Sequence, residues 1–245
     1  MKLVLFDIDG TLISHVGART QIGFPRFEYA IKKVYGVDIT FSNTQNYAGM
    51  VDYQIVRSAV PQKMYGDKAF DQKWPQISDA LYEFANKKSE TEKNLYAPIK
   101  GAVMLAKLLS RKPDTRLGVF TGNVKKMGQW KLACTGILGI FPFGLYSDTF
   151  KDKIMLARSV FDTYEDKYHE RIRGEDITII GDTVHDVRCG KAIGARTIAV
   201  TAETRSKAGI HVSSYYDDLK REHPDLLVQS LMDRRVLDFF RQRTG

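Results

Sequence analysis

Asp7-Ile8-Asp9-Gly10-Thr11-Leu12 sets two carboxylates two residues apart, directly after the apolar run Leu3-Val4-Leu5-Phe6. Carboxylates this close repel unless a cation or a shared proton separates them. Oxygen ligands suit a hard divalent ion, which points to magnesium. Gly10 frees the backbone to turn sharply just beyond the pair. Asp-Gly alone is ordinary turn chemistry; the whole hexapeptide after an apolar strand is a stronger sign of a site.

Three later stretches repeat the pattern of an apolar run ending in polar groups. Leu117–Phe120 leads into Thr121-Gly122-Asn123. Thr121 can donate to a phosphate oxygen, and the amides of Gly122 and Asn123 can do the same at the start of a helix. The same tripeptide is also a good helix cap. Asp148 to Lys153 precedes a helical pattern, and Lys153 could hold an ammonium over a phosphate; Lys151 lies nearby, and spacing favours Lys153. Ile177–Ile180 leads into Gly181-Asp182-Thr183-Val184-His185-Asp186. Asp182 can reach the same cation as Asp7. Asp186, four residues on, shares a face with Asp182 if a helix starts there, and from it could ligate metal through water or orient Lys153. His185 is expected to face solvent.

The elements that must position these groups read as α/β. Buried-strand runs recur at Leu3–Phe6, Leu117–Phe120, Phe143–Tyr146, Ile177–Ile180, Thr197–Val200 and Leu226–Val228. Helical patterns at Ala102–Ser110, Lys125–Cys134, Lys153–Tyr164 and Asp186–Ile193 alternate with them. That alternation predicts a three-layer, Rossmann-like parallel sheet with helices on both faces. The stretch 14–94 reads as all-helical, with Phe27–Tyr35, Asp52–Ala59 and Gln72–Lys88, the last opened by Trp74-Pro75. The expected organisation is an α/β core over 1–13 and 95–245, with a helical domain inserted over 14–94 that, by the resemblance given below, corresponds to a cap over a catalytic core.

Composition narrows the function classes. Among 245 residues, 43% are hydrophobic and 27% charged, ordinary for a soluble globular protein. No apolar run approaches the roughly 20 residues of a membrane helix, and the expectation is a cytoplasmic protein without membrane contact. Cys134 and Cys189 read as free buried thiols. A formal net charge of +8 suits anionic partners. The lysines are scattered rather than blocked, which points to a small phosphorylated metabolite and away from a nucleic-acid track.

In this order, the four motifs resemble the haloacid dehalogenase superfamily, and within it the phosphoglycolate phosphatase-like group with a helical cap. The resemblance implies a phosphoric monoester hydrolase with Mg2+ as cofactor. Asp7 would be the nucleophile, forming an aspartyl-phosphate, and Asp9 the general acid and base; relatives that act as dehalogenases lack this second acid. Thr121 and Lys153 complete the catalytic set, though close relatives often carry arginine at position 153. Metal ligation would fall to Asp7, the backbone carbonyl of Asp9, Asp182 and Asp186. Substrate binding would fall to Thr11, Gly122 and Asn123, and to Gly49, Met50 and Asp52 of the segment Tyr47–Ile55, which resembles the cap loop that reaches the site. Relatives often place a basic residue after that glycine, where this chain has Met50. A phosphomutase of the same fold shares every core motif, and a nucleotide or nucleic-acid phosphatase is the further alternative.

Overall fold

The computed structural model describes residues 1–16, 23–41, 47–62, 66–91, 95–201 and 212–241, the side chains of 212–215 excepted. Its main sheet comprises β1 (Lys2–Phe6), β4 (Thr115–Phe120), β5 (Phe143–Leu145), β6 (Ile177–Gly181), β7 (Arg196–Val200) and β8 (Leu226–Val228). The order is β5-β4-β1-β6-β7-β8, and every pairing is parallel. From β1 the chain moves outward through β4 and β5, then returns to the other flank of β1 and continues through β6, β7 and β8. That reversal beside β1 is a topological switch point, where an open α/β sheet leaves a crevice beyond its carboxyl ends.

Helices cover both faces, as the continuous apolar strands require. On β1, Val4 and Phe6 enter one core with α4 (Lys100–Leu109), α5 (Lys125–Cys134) and α10 (Arg234–Arg241). Leu3 and Leu5 enter the opposite core with α6 (Lys153–Arg158), α7 (Val160–Tyr168) and α8 (Val184–Ala192). The expected single helix Lys153–Tyr164 is thus two, parted at Ser159, whose hydroxyl donates to the Leu156 carbonyl. Helix α9 (Val212–Arg221) precedes β8. Cys189 is buried, but Cys134, expected to be buried, is exposed, because the inward face of α5 carries Met127, Lys131 and Leu132 instead.

Between β1 and β4 lie α1 (Gly23–Tyr35), α2 (Asp52–Ala59) and α3 (Asp67–Thr91). They share an aromatic-rich cluster that includes Phe27, Tyr53, Phe70 and Trp74 and reaches Val124 and Met127 of the core segment. Helix α3 begins eight residues before Pro75 and runs through it, contrary to the expectation that Trp74-Pro75 opens the helix. Phe70, Trp74, Ile77, Leu81 and Ala85 form its buried stripe. Burying that stripe outweighs the roughly 3 kcal/mol that an internal proline costs, and Pro75 itself is exposed.

The chain leaves and re-enters the core through an antiparallel ribbon of β2 (Ile13–His15) and β3 (Tyr96–Pro98), with Ile13 opposite Pro98 and His15 opposite Tyr96. The sequence did not signal this ribbon. Position 94, the expected end of the insertion, lies outside the described residues. Among the described residues no helix is long and apolar enough to cross a membrane.

Candidate active site

Parallel pairing sets the carboxyl ends of β1, β4 and β6 side by side. The Asp7 amide donates to the Ile180 carbonyl at 2.8 Å, and the Thr121 amide donates to Leu145 at 3.1 Å. Asp7, Thr121 and Asp182 therefore leave three adjacent strands at one level.

Oxygens of Asp7, Asp182 and Asp186 lie within 4.8 Å of one another, all three residues buried. The Lys153 ammonium donates to Asp186 Oδ1 at 2.7 Å and Asp7 Oδ1 at 3.2 Å. The other Asp186 oxygen accepts from the Thr183 amide at 3.0 Å and hydroxyl at 2.6 Å, closing the N-terminal cap of α8. Lys151 is exposed and paired with Asp71 at 2.7 Å, away from this cluster. Burial, with Asp186 and Asp182 adding like charge, raises the Asp7 carboxyl well above its usual range against the pull of Lys153. Burial works against the Lys153 charge too, yet Asp186 and Asp7 hold that ammonium firmly protonated. With all three carboxylates ionised, one ammonium leaves two negative charges, the complement of one divalent cation. An all-oxygen donor set of this kind suits magnesium. Gly10 lets the backbone close on the cluster: its φ is +91°, and a Cβ there would sit 2.2 Å from Asp182 Oδ2.

Asp9 is turned out of the cluster. Its oxygens accept from the Lys131 ammonium at 2.8 and 2.7 Å and from Asn123 Nδ2 at 2.7 Å, and His15 Nε2 stands 3.9 Å away. Although burial opposes ionisation, Lys131 and His15 hold the Asp9 carboxyl well below the usual range. Lys131 was missed from sequence. Its signal was a lysine on the buried stripe of an otherwise amphipathic helix.

The Thr121 hydroxyl accepts from the Asn123 amide at 3.2 Å and from Asn123 Nδ2 at 2.7 Å. A hydroxyl has two acceptor lone pairs and one hydrogen, so the hydrogen remains to donate to a ligand. Asn123, expected to offer its amide to substrate, spends it on Thr121. The amides at the start of α5 are likewise taken by the protein's own anions: Val124 donates to Asp52 Oδ2 at 3.0 Å and Lys125 to Asp148 Oδ2 at 2.8 Å. The Gly122 carbonyl accepts from the Asp52 amide at 2.8 Å.

The segment Gly49–Asp52 closes over these loops. A Cβ at Gly49 would meet Thr183 Oγ1 and His185 Cδ2 at 2.7 Å, and one at Gly122 would meet the Met50 carbonyl at 2.4 Å. His185, expected to face solvent, is therefore half-buried beneath the Gly49 turn, and burial lowers its pKa. Met50 packs against the helical cluster. Asp52, expected to bind substrate, is buried with Arg26 at 3.3 Å and caps α5. It ties α1 and α2 to the core and presents no free oxygen. Thr11 Oγ1 is buried without a hydrogen-bond partner among the described residues.

The Asp52 contacts carry a direct expectation. Asp52→Ala strands a buried Arg26 charge, which costs about 3–5 kcal/mol and lowers the melting midpoint by roughly 10 °C at this chain length. Differential scanning calorimetry checks it; an unchanged midpoint would show that Asp52 does not hold the helices to the core.

Strand-end carboxylates, a buried lysine and a strand-end hydroxyl thus meet at the switch point of the sheet. The chain belongs to the haloacid dehalogenase-like hydrolase family, which matches residues 4–200. No curated protein sequence matches it significantly. Among solved structures it is similar to a predicted phosphatase from Clostridium acetobutylicum, with a TM-score of 0.65 and 17% identity over 97% of this chain and 98% of that one. It is also similar to a predicted phosphoglycolate phosphatase from Haemophilus somnus, with a TM-score of 0.62 and 16% identity over 98% and 97%. CbbY from Rhodobacter sphaeroides, solved with xylulose-(1,5)bisphosphate, matches with a TM-score of 0.61 and 15% identity over 95% of each chain. At these identities the likeness is one of fold.

Proposed function

We propose that the protein is a magnesium-dependent phosphatase that hydrolyses a small phosphorylated metabolite through an aspartyl-phosphate on Asp7, with residues 14–94 as a cap domain over the site. The observation that carries this reading is the separation of two roles in one hexapeptide. Asp7 sits in the buried cluster with Lys153, while Asp9 is held apart from it on Lys131 and Asn123.

In-line displacement needs that separation, because nucleophile and leaving group occupy opposite sides of phosphorus. An Asp7 oxygen forms the new bond to phosphorus as the ester bond breaks, and Asp9 gives its proton to the departing alkoxide. A phosphate dianion brought up to Asp9 adds like charge and favours the protonated form this step requires. Water then loses a proton to Asp9 and attacks phosphorus, releasing phosphate and restoring Asp7. Thr121 donates its remaining hydrogen to a phosphoryl oxygen, and Lys153 orients Asp7 and opposes the charge gathering there. Asp7, Asp182, Asp186 and the Asp9 carbonyl are the groups that would hold magnesium, which when bound neutralises the oxygens of carboxylate and phosphoryl group.

Hydrolysis rather than mutation of a sugar phosphate is supported by the cap's charges. A mutase must grip a second phosphate, yet Met50 is apolar and packs inward. Arg57 is committed to Asp67 at 2.8 Å and to the Val60 carbonyl at 3.1 Å. The test is a screen of sugar phosphates, short-chain phosphates, nucleotides and 5′-phosphorylated oligonucleotides with magnesium, following free phosphate and isomer formation together. Free phosphate from a small ester should dominate, and Met50→Arg should reorder the substrates severalfold more than it changes the rate on 4-nitrophenyl phosphate. Isomerisation outrunning phosphate release would select the mutase, and preference for oligonucleotides would select the nucleic-acid phosphatase.

A further inference from the structure

We propose that Lys131 is the positioning residue for Asp9, fixing its carboxylate on the leaving-group side of the site. The inference rests on the phosphatase reading, and it assigns work to a residue outside the four motifs.

Lys131 lies on α5 with 1% of its surface exposed. An ammonium has three N–H donors, and all three are spent: on Asp9 Oδ1 at 2.8 Å, Asp9 Oδ2 at 2.7 Å and Asn123 Oδ1 at 2.7 Å. Asn123 closes the ring by donating from Nδ2 to both Asp9 Oδ2 and Thr121 Oγ1, each at 2.7 Å. The opposite amide orientation would set NH2 against the ammonium, so the network fixes how Asn123 sits. Beneath, the Tyr96 ring on the returning strand β3 faces the ammonium at 5.6 Å. Asp9, Asn123, Lys131 and Thr121 thus form one hydrogen-bonded unit that spans the ends of β1 and β4.

Stability does not account for this arrangement. An ion pair taken from water recovers little of its desolvation cost, and an apolar residue of similar size commonly serves a core position as well or better. What the pair does supply is direction. A single carboxylate rotates about two side-chain bonds, and a cation held by Asp7, Asp182 and Asp186 would draw it in. Two N–H groups on its two oxygens, from a buried lysine whose third N–H is spent on Asn123, fix its rotation. The Asp9 side chain keeps 34% of its surface exposed despite this grip, so one face stays open to a reacting group.

The role predicts a dependence on leaving group. An alkoxide must be protonated as it departs, and a 4-nitrophenolate need not be. In Lys131→Met, single-turnover phosphorylation of Asp7 by an alkyl phosphate should fall by about 10²-fold, the low end of what a general acid supplies. With 4-nitrophenyl phosphate the first-turnover burst of nitrophenolate should persist within about tenfold, followed by slow release of phosphate, since that later step needs Asp9 as base. Lys131→Gln, which keeps two N–H donors but no charge, should fall between. In an Asp9→Asn background, Lys131→Met should add no further loss, because the two residues act as a unit. Equal losses on both esters, or additive losses in the double variant, would reduce Lys131 to a structural residue and overturn the proposal. A second measurement avoids variants altogether: the crystal structure of the unaltered protein with magnesium and beryllofluoride on Asp7. Lys131 should remain within about 3 Å of Asp9 there, and an Asp9 swung free of it would overturn the proposal as well. Failure of the unaltered enzyme to release phosphate from either ester would instead sink the phosphatase reading on which all of this stands.

Discussion

Asp7→Asn should fold and melt at or above its parent's midpoint but turn over phosphate esters at least about 10⁴-fold more slowly, the scale of loss when a covalent nucleophile is removed. The amide fills the same space and keeps an oxygen for Lys153, so the ammonium at 3.2 Å is not stranded. Removing one of three crowded carboxylates also relieves repulsion with Asp182 and Asp186, so the melting midpoint should hold or rise. What the amide lacks is a charged oxygen to attack phosphorus. Phosphate release and circular dichroism on the same preparation make the check. More than a few per cent of parental activity, with mass spectrometry excluding deamidation, would remove Asp7 from the nucleophile's role.

Stripping divalent cations should be nearly as severe. With all three carboxylates ionised, two negative charges remain uncompensated among Asp7, Asp182, Asp186 and Lys153, and a phosphate dianion approaching them meets net repulsion. Activity after chelation should drop by about three orders of magnitude or more, the scale of strong charge stabilisation in a dry site. Magnesium should restore it, and calcium should not, because calcium takes a wider and looser shell. Melting provides an independent reading: at a hundredfold excess over its dissociation constant a cation stabilises by about 2.7 kcal/mol, several degrees at this size. Asp182→Asn should abolish that shift. Full activity in chelator with metal-free protein, or a magnesium shift that survives Asp182→Asn, would contradict the assignment.

The parts of this molecule that were legible in sequence are those governed by local pattern. Leu3 and Leu5 face one core and Val4 and Phe6 the other, so β1 has to read as an unbroken apolar run, and it does. The strand ends then place Asp7, Thr121 and Asp182 almost without further argument. What escaped depends on partners far away in the chain. Asp52 looks like a polar group in a loop near the site; only the contact of the start of α2 with the Gly122–Val124 loop and with α1 turns it inward, onto Arg26 and the Val124 amide. Pro75 signals a helix start by local chemistry, and the buried stripe of Phe70, Trp74 and Ile77 overrides it. Lys131 was visible as a charge on a buried face, but its partner lies 122 residues away.

Both tryptophans of the chain stand at the seam between helices and sheet domain. Trp74 reaches from α3 to donate its indole N–H to the Asp148 carbonyl at 2.7 Å, and Trp130 packs against the helical cluster on one side and the sheet core on the other. Neither indole is lodged in the interior of one half alone. The ultraviolet emission of this protein is therefore a signal from the seam itself: its wavelength registers how wet that boundary is. The molecule carries its own optical gauge of how tightly the helices sit on the site, with no label attached.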